Sequence, residues 1–285
     1  MKGTTSSLGS FFFAIPALLW QALFLLLPLA IVVRQSFSSA DISVFTFEKY
    51  LLLFDPIYLK VIARSVFLAL TTAFTCLLIG YPVAYFIAFR SDRWRGLFLF
   101  LVMLPLWTSL LVQIYAWFFL LERDGIITQF FLKLGFDLSV GSIANSTFAI
   151  ALVMTYCYLP FMVMPLYTAL DSIEEQIAEA SADLGARPWH TFFRVILPLS
   201  LPGIRAGLLL VLVPAFGEFS IPSLLGGGRY LYVGSLISYL ALVVRDTGLS
   251  AAFTCLSGAV LLSVVYILYR GIRYIENLWG GGQHS

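Results

Sequence analysis

Runs of about twenty uncharged, apolar residues recur along this chain, and they decide its fold class. A helix of that length spans the roughly 30 Å hydrocarbon core of a bilayer, where no water is present to satisfy backbone N–H and C=O groups. Only helices and closed barrels survive there. A barrel would read as segments of about ten residues with strict alternation, and this sequence contains none. Composition agrees: 60% of the 285 residues are hydrophobic, only 11% are charged, and the mean hydropathy is +0.95. Soluble domains carry about 25% charged residues. The chain reads as an all-α polytopic membrane protein.

Six spans are expected, at 11–33, 61–89, 96–121, 146–170, 204–225 and 250–269, within a single transmembrane domain over 1–285. The first run is too long for the apolar region of a signal peptide and lacks an A-x-A cleavage site, so it is expected to be retained. The tail from Gly280 to Ser285 reads as a flexible end without chemistry. An even number of spans places both termini on one side. If that side is cytoplasmic, nine Lys and Arg lie inside and eight outside, which alone does not orient the chain. The dense Arg90–Arg93–Arg95 loop favours cytoplasmic termini. The stretch FTFEKYLLLFDPIYLKVIARS after the first span reads as short interfacial helices around an Asp55-Pro56 turn.

Breaks and polar residues inside the spans mark where a pathway or a hinge could form. Gly80 and Pro82, Pro160 and Pro165, and Pro214 and Gly217 allow helices to bend. In the third span Trp107, Thr108, Gln113 and Tyr115 combine aromatic and hydrogen-bonding groups. Helical spacing puts Trp107, Leu111 and Tyr115 near one face, suited to an organic cation, whereas Trp117, near the span's end, reads as an interface marker. Glu218 sits between Pro214 and Pro222 in an apolar run. An intramembrane carboxylate is costly and faces a pathway or a partner, unless the helix has already broken at Gly217 and Glu218 caps the break.

Several activities are excluded. No Gly-Lys-Ser/Thr phosphate loop occurs, and Gly226-Gly227-Gly228 is only a turn; no HExxH pair is present. The histidines are His190 and His284, and Cys76, Cys157 and Cys255 stand singly, so neither a metal site nor a disulfide is expected. The basic residues form no nucleic-acid patch. No catalytic residue is expected in this chain.

Between the fourth and fifth spans lies the loop 171–203, and the stretch from Glu179 to Ile204 is a polar and basic island between two apolar segments. Asp171 to Leu184 places Ile173, Ile177, Ala180 and Leu184 on one helical face, with acids in the favourable first turns. Gly185 can adopt the left-handed conformation that ends a helix, and Pro188 suits the first turn of the next. The product is a helix–turn–helix at the membrane surface, with a small-residue corner from Ala182 to Ala186.

These residues resemble the EAA signature of ABC-importer permeases: Glu179-Ala180-Ser181, then Gly185, then Ile196-Leu197-Pro198. The stretches IGYPVAYFIA, MLPLWTSLLVQIYAW, YLPFMVMPLYTAL, DLGARPWHTFFRVILPLSLPGI and PAFGEFSIPSLLGG are similar to the spermidine/putrescine branch. The resemblance implies a type I importer fold in a bacterial cytoplasmic membrane, with the island cytoplasmic. It implies that Glu179, Ala180, Ser181, Asp183, Leu184, Gly185 and Ala186 form a coupling helix that docks on an ATPase. It implies as partners a second permease subunit, two ATPase subunits that hold ATP and Mg, and an extracytoplasmic solute-binding protein. Cargo would be a polyamine, with Glu218 as the negative site beside Trp107, Thr108, Gln113 and Tyr115. Two departures stand out: Ser181 replaces the second alanine, and Gln113 stands where polyamine permeases carry arginine. Other cargoes of the same importer class, a phosphonate or a metal-ion complex, share the motif. A secondary transporter or channel would leave its spacing unexplained.

Overall fold

The computed structural model describes residues 7–38, 46–90, 93–133, 145–174, 177, 181, 183, 185–228 and 230–280. Its elements are α1 (Ser7–Ser36), α2 (Glu48–Leu52), α3 (Pro56–Arg90), α4 (Arg95–Met103), α5 (Leu110–Leu121), α6 (Ile126–Lys133) and α7 (Thr147–Asp171). They continue with α8 (Pro188–Gly217), α9 (Ser220–Leu225), α10 (Val233–Val244) and α11 (Thr247–Gly280). No strand occurs among the described residues. Among the described residues five helices are long and apolar enough to cross a membrane, and a bent pair, Arg95–Trp107 with Leu110–Phe130, makes a sixth crossing if taken as one. The terminal residues Gly281 to Ser285 lie outside the described residues.

The chain divides into two compact units, one of residues 1–59 and 237–259, the other of 60–236 and 260–285. In the first, Tyr50 Oη donates to Ser36 Oγ at 2.9 Å, and the rings of Phe37, Phe47 and Tyr50 cluster around this contact. Asp55 Oδ1 accepts from Ile57 N, so the Asp55-Pro56 pair starts α3 with a side-chain cap and a proline at its first position. Lys49 pairs with Asp246, whose carboxylate also accepts from Leu249 N and caps α11. Burial pushes the Asp246 carboxyl up, but hydrogen bonds from Lys49 and from the Leu249 and Gly248 amides outweigh it and hold it below the usual carboxylate range.

The second unit is built on a junction of α3, α7 and α8. Met162 of α7 is fully buried between two glycines. A Cβ on Gly80 of α3 would lie 3.2 Å from Met162 Cγ, and one on Gly207 of α8 would lie 2.6 Å from its Sδ. One turn earlier on α8, a Cβ on Gly203 would meet Ala169 Cβ at 2.5 Å and Pro165 O at 2.8 Å. Gly203 and Gly207 thus form a G-x-x-x-G stripe that lets two backbones approach, the usual basis of close helix packing in membranes. A buried hydrogen bond, 2.9 Å between Tyr81 Oη and Ser200 Oγ, ties α3 to α8 beside it.

Helix α3 runs unbroken through Gly80 and Pro82, and α7 through Pro160 and Pro165. Gly80 serves close packing here, not a break in the helix. Three prolines, Pro82, Pro105 and Pro160, line one apolar cavity of about 560 Å³ between α3, α4 and α7.

Because the atoms facing Gly203 are backbone and a short Cβ, even Gly203→Ala is expected to force α7 and α8 apart. The cost should be about 1–3 kcal/mol, the range for overpacking. Gly217→Ala, where a Cβ meets nothing within 4 Å, should be tolerated. Thermal unfolding of the purified complex in detergent checks both; equal midpoints for the two variants would contradict the packing role.

Candidate translocation and coupling sites

Two breaks in apolar helices organise the polar groups of the second unit. The first lies between the 3₁₀ turn Leu104–Trp107 and α5, where Thr108 and Ser109 are extended and the segments bend by 94°. A break in a span leaves carbonyls that lipid cannot satisfy. Here Pro105 O accepts from Thr108 Oγ1 at 3.0 Å and from Gln113 Nε2. Gln113 Nε2 also reaches Thr108 Oγ1, and its Oε1 accepts from Cys157 Sγ of α7 at 3.4 Å. Both polar atoms of Gln113, 9% exposed, are therefore committed to holding the break.

The expected common face of Trp107, Leu111 and Tyr115 does not form. It assumed one continuous helix, and Trp107 belongs to the segment before the bend while Tyr115 belongs to α5 after it. Trp107 is 77% exposed and meets Phe100 edge-on, and Tyr115 is also exposed. Trp117 packs edge-on against Tyr156 of α7. Pro105 followed by Thr108-Ser109 was the sequence signal for the break, a proline and two hydroxyl residues in an otherwise apolar run.

The second break follows Gly217, the last residue of α8. Glu218 is extended and half-buried. Its Oε1 accepts from Ser220 N at 2.8 Å, capping α9, and its Oε2 accepts from Tyr158 Oη of α7 at 2.7 Å. Of the two sequence readings for Glu218, the cap is formed. It does not exhaust the group, since a carboxylate offers about four acceptor positions and two are filled. Adjacent residues of α7, Cys157 and Tyr158, thus reach both breaks, and Tyr158 was not anticipated from sequence.

At the other end of α7 and α8 lies the polar island. Glu179, Ala180 and Leu184 lie outside the described residues, whereas Ile177, Ser181 and Asp183 are helical. Gly185 has φ +81°, and Ala186 N donates to Ser181 O at 3.1 Å. That is the six-to-one bond of a Schellman cap, with glycine at the left-handed position. Arg187 is extended and Pro188 opens α8, which passes through a π turn at Phe192–Ile196. Ser181 Oγ lies 2.9 Å from Thr191 Oγ1, joining the two arms of the turn. The serine that departs from the alanine of the motif makes a bond no alanine could make. Asp183 and Gly185 are exposed, as an interaction surface requires.

Two arginines fix the helices that flank the island. Arg95 Nη2 lies 2.8 Å from Asp171 Oδ1 at the end of α7, donates to Ala88 O at the end of α3, and stands over the Tyr167 ring. Arg205 Nη1 donates to Glu276 Oε2 of α11 at 2.8 Å and stands over Tyr269. Sequence periodicity places such residues in loops or near span ends but cannot pair them. Among the described residues no group of His, Cys, Asp and Glu could hold a metal, and the three cysteines are free.

A bent-helix bundle whose most tightly packed helices are joined through a glycine-capped turn is the architecture of the permease subunit of a binding-protein-dependent importer. The chain belongs to that family: residues 77–275 match the binding-protein-dependent transport system inner membrane component. It is 38% identical over 262 residues to the spermidine/putrescine transport system permease protein PotB of Haemophilus influenzae, covering 90% of this chain and 92% of that one. To PotB of Escherichia coli K12 it is 37% identical over 255 residues, covering 88% and 92%. Its backbone superposes on that of a bacterial ABC transporter involved in alginate import, with TM-score 0.73 and 18% identity, over 93% of this chain and 95% of that one. The fold is that of a type I ABC importer permease, a multi-pass component of the inner membrane and a part of a transporter.

The Ser181–Thr191 bond gives a test internal to the coupling loop. Ser181→Ala and Thr191→Val should each lower the unfolding midpoint of the complex, at about 0.5–1.5 kcal/mol each. The double variant should cost little more than either alone, because one bond is lost once. Strict additivity would show that the hydroxyls do not act as a pair.

Proposed function

We propose that this chain is a transmembrane permease subunit of an ATP-driven importer for a polyamine of the putrescine/spermidine class, delivered by an extracytoplasmic binding protein. The observation that carries the reading is similarity to PotB proteins across nine-tenths of the chain, at 37–38% identity. The physical chemistry of the breaks agrees with it. A carboxylate held by Tyr158 and Ser220 N, with acceptor positions to spare, is a site for an ammonium group within an otherwise apolar surround. Trp107 and Tyr115, on separate segments either side of the bend, each offer an exposed aromatic face for cation–π contact. Thr108 adds a hydroxyl, and Gln113 keeps the bend in shape, without adding a positive charge that would repel the cargo. Pro82, Pro160, Pro165, Pro214 and Gly217 supply flexible points in the helices around it.

In this reading the island faces the cytoplasm, both termini lie on that side, and the segment Glu179 to Ala186 seats in a groove of the ATPase. A second permease and two ATPase subunits, which hold ATP and Mg, complete the assembly. Closure of the nucleotide dimer pushes the helix–turn–helix, which moves α7 and α8 as one body because Gly203 and Gly207 lock them together.

Uptake of labelled putrescine and spermidine by the importer reconstituted with its binding protein tests the cargo. Glu218→Gln keeps a carbonyl oxygen for Ser220 N but removes the charge. It should lower uptake roughly ten- to a hundredfold, the loss of a hydrogen bond to a charged group, with complex yield unchanged. Unaltered uptake would take Glu218 out of the pathway.

The coupling role has its own test at Gly185. A Cβ there meets nothing within 4 Å, so Gly185→Val introduces only left-handed backbone strain, about 1–2 kcal/mol. Gly185→Val and Glu179→Lys should each reduce co-purification of the ATPase, whereas Gly185→Asn, which tolerates the left-handed region, should retain it. Normal ATPase recovery with both disruptive variants would sink the docking role.

A further inference from the structure

The last turns of α11 carry a feature that translocation and coupling leave unused. Tyr266, Tyr269, Arg270, Arg273, Tyr274 and Asn277 follow the spacing i, i+3, i+4, i+7, i+8, i+11 and so share one helical face. They line a cleft of about 350 Å³ without another residue in its walls. The nearest acid on the helix, Glu276, is already paired with Arg205. Arg270 Nη1 donates to the Tyr266 hydroxyl, which orients its guanidinium along the cleft, and no acid neutralises it or Arg273 among the described residues.

The position of this cleft relative to the bilayer follows from the helix itself. From Thr247 to Tyr269 α11 carries no charged residue, and about 20 residues suffice to cross the hydrocarbon. A crossing that begins at Thr247 is complete near Tyr266, so the cleft lies in the headgroup layer, where tyrosines concentrate. The Arg205–Glu276 bond ties this end of α11 to Arg205 of α8, the last charged residue before the apolar run 206–217 and so the coupling-loop end of that helix's crossing. The cleft is therefore on the coupling-loop side of the membrane.

We propose that this face of α11 binds the phosphodiester headgroup of an anionic phospholipid in the leaflet on the coupling-loop side. Arg270 and Arg273 supply the positive charge and the forked donors that match phosphate oxygens. The tyrosine hydroxyls and the Asn277 amide add neutral donors, and the exposed rings of Tyr266 and Tyr274 rest among the acyl-chain ends. Charge complementarity selects this occupant over a zwitterionic lipid, whose own cation would meet two arginines. That the leaflet is the cytoplasmic one rests on the orientation proposed above; the binding itself does not depend on the cargo.

The test is native mass spectrometry of the assembled importer released from nanodiscs of phosphatidylcholine mixed equally with phosphatidylglycerol. The wild type should retain phosphatidylglycerol in preference. Arg270→Gln with Arg273→Gln should lower that preference by about fivefold per arginine removed, and Arg270→Lys with Arg273→Lys should keep most of it. Equal retention of the two lipids by the wild type, a measurement that needs no variant to fold, overturns the proposal. So does an undiminished preference in the glutamine variant, or its loss of the second permease with lipid retention unchanged, which would make the face a protein interface. Polyamine uptake is read separately, so a wrong cargo and a wrong lipid site give different results.

Discussion

The contact on which the second unit depends is the burial of one flexible side chain, Met162, between glycines of two neighbouring helices. Van der Waals contact, not hydrophobic transfer, holds helices together in lipid, because a lipid tail is as apolar as leucine. Gly80 and Gly207 let α3 and α8 close on α7 at Met162, and Gly203 repeats the approach one turn further on. Methionine suits the site, since its unbranched thioether fills irregular gaps. The consequence is mechanical. The coupling loop leaves α7 at Asp171 and enters α8 at Pro188, so both of its ends are anchored in the tightest pair of the bundle. Arg95 and Arg205 extend that anchorage to α4 and α11.

Where helices instead break, the bilayer's inability to hydrogen-bond dictates what must surround them. The break at Thr108–Ser109 is closed by Gln113, and the one after Gly217 by Glu218. Each of these side chains also bonds to α7, at Cys157 and Tyr158 respectively. The groups that read from sequence as pathway residues are thus the groups that make irregular backbone possible at membrane depth. Irregular backbone is tolerated there only when it is buried in protein or lines a cavity.

The all-helical, many-crossing architecture, the left-handed Gly185 and the N-terminal Pro188 were legible from sequence because each rests on local chemistry: length, periodicity, or the φ angle a residue permits. The 94° bend was not, although Pro105 and Thr108-Ser109 marked it, because the apolar run continued across them and outweighed three residues. The partnerships of Tyr158 with Glu218, Ser181 with Thr191 and Arg205 with Glu276 span separations of 60, 10 and 71 residues. Periodicity carries no information about such partners. Gly80 is read from sequence as a point of bending, and its close approach to Met162 was not legible, because a glycine's own segment does not name the neighbour it admits.

Glu218 shows how a structural cap can leave acceptor positions open. A bare carboxylate at this depth would be costly, and two donors from Tyr158 and Ser220 reduce that cost without neutralising the charge. The remaining acceptor positions are best filled by a cation, which brings both donors and the missing opposite charge. Because the donors belong to α7 and to the start of α9, any shift of α7 against α9 changes how many acceptor positions are free. The helix that enters the coupling loop is α7. The Tyr158 hydroxyl thus joins Glu218 directly to the helix that enters the coupling loop, with no separate connecting element.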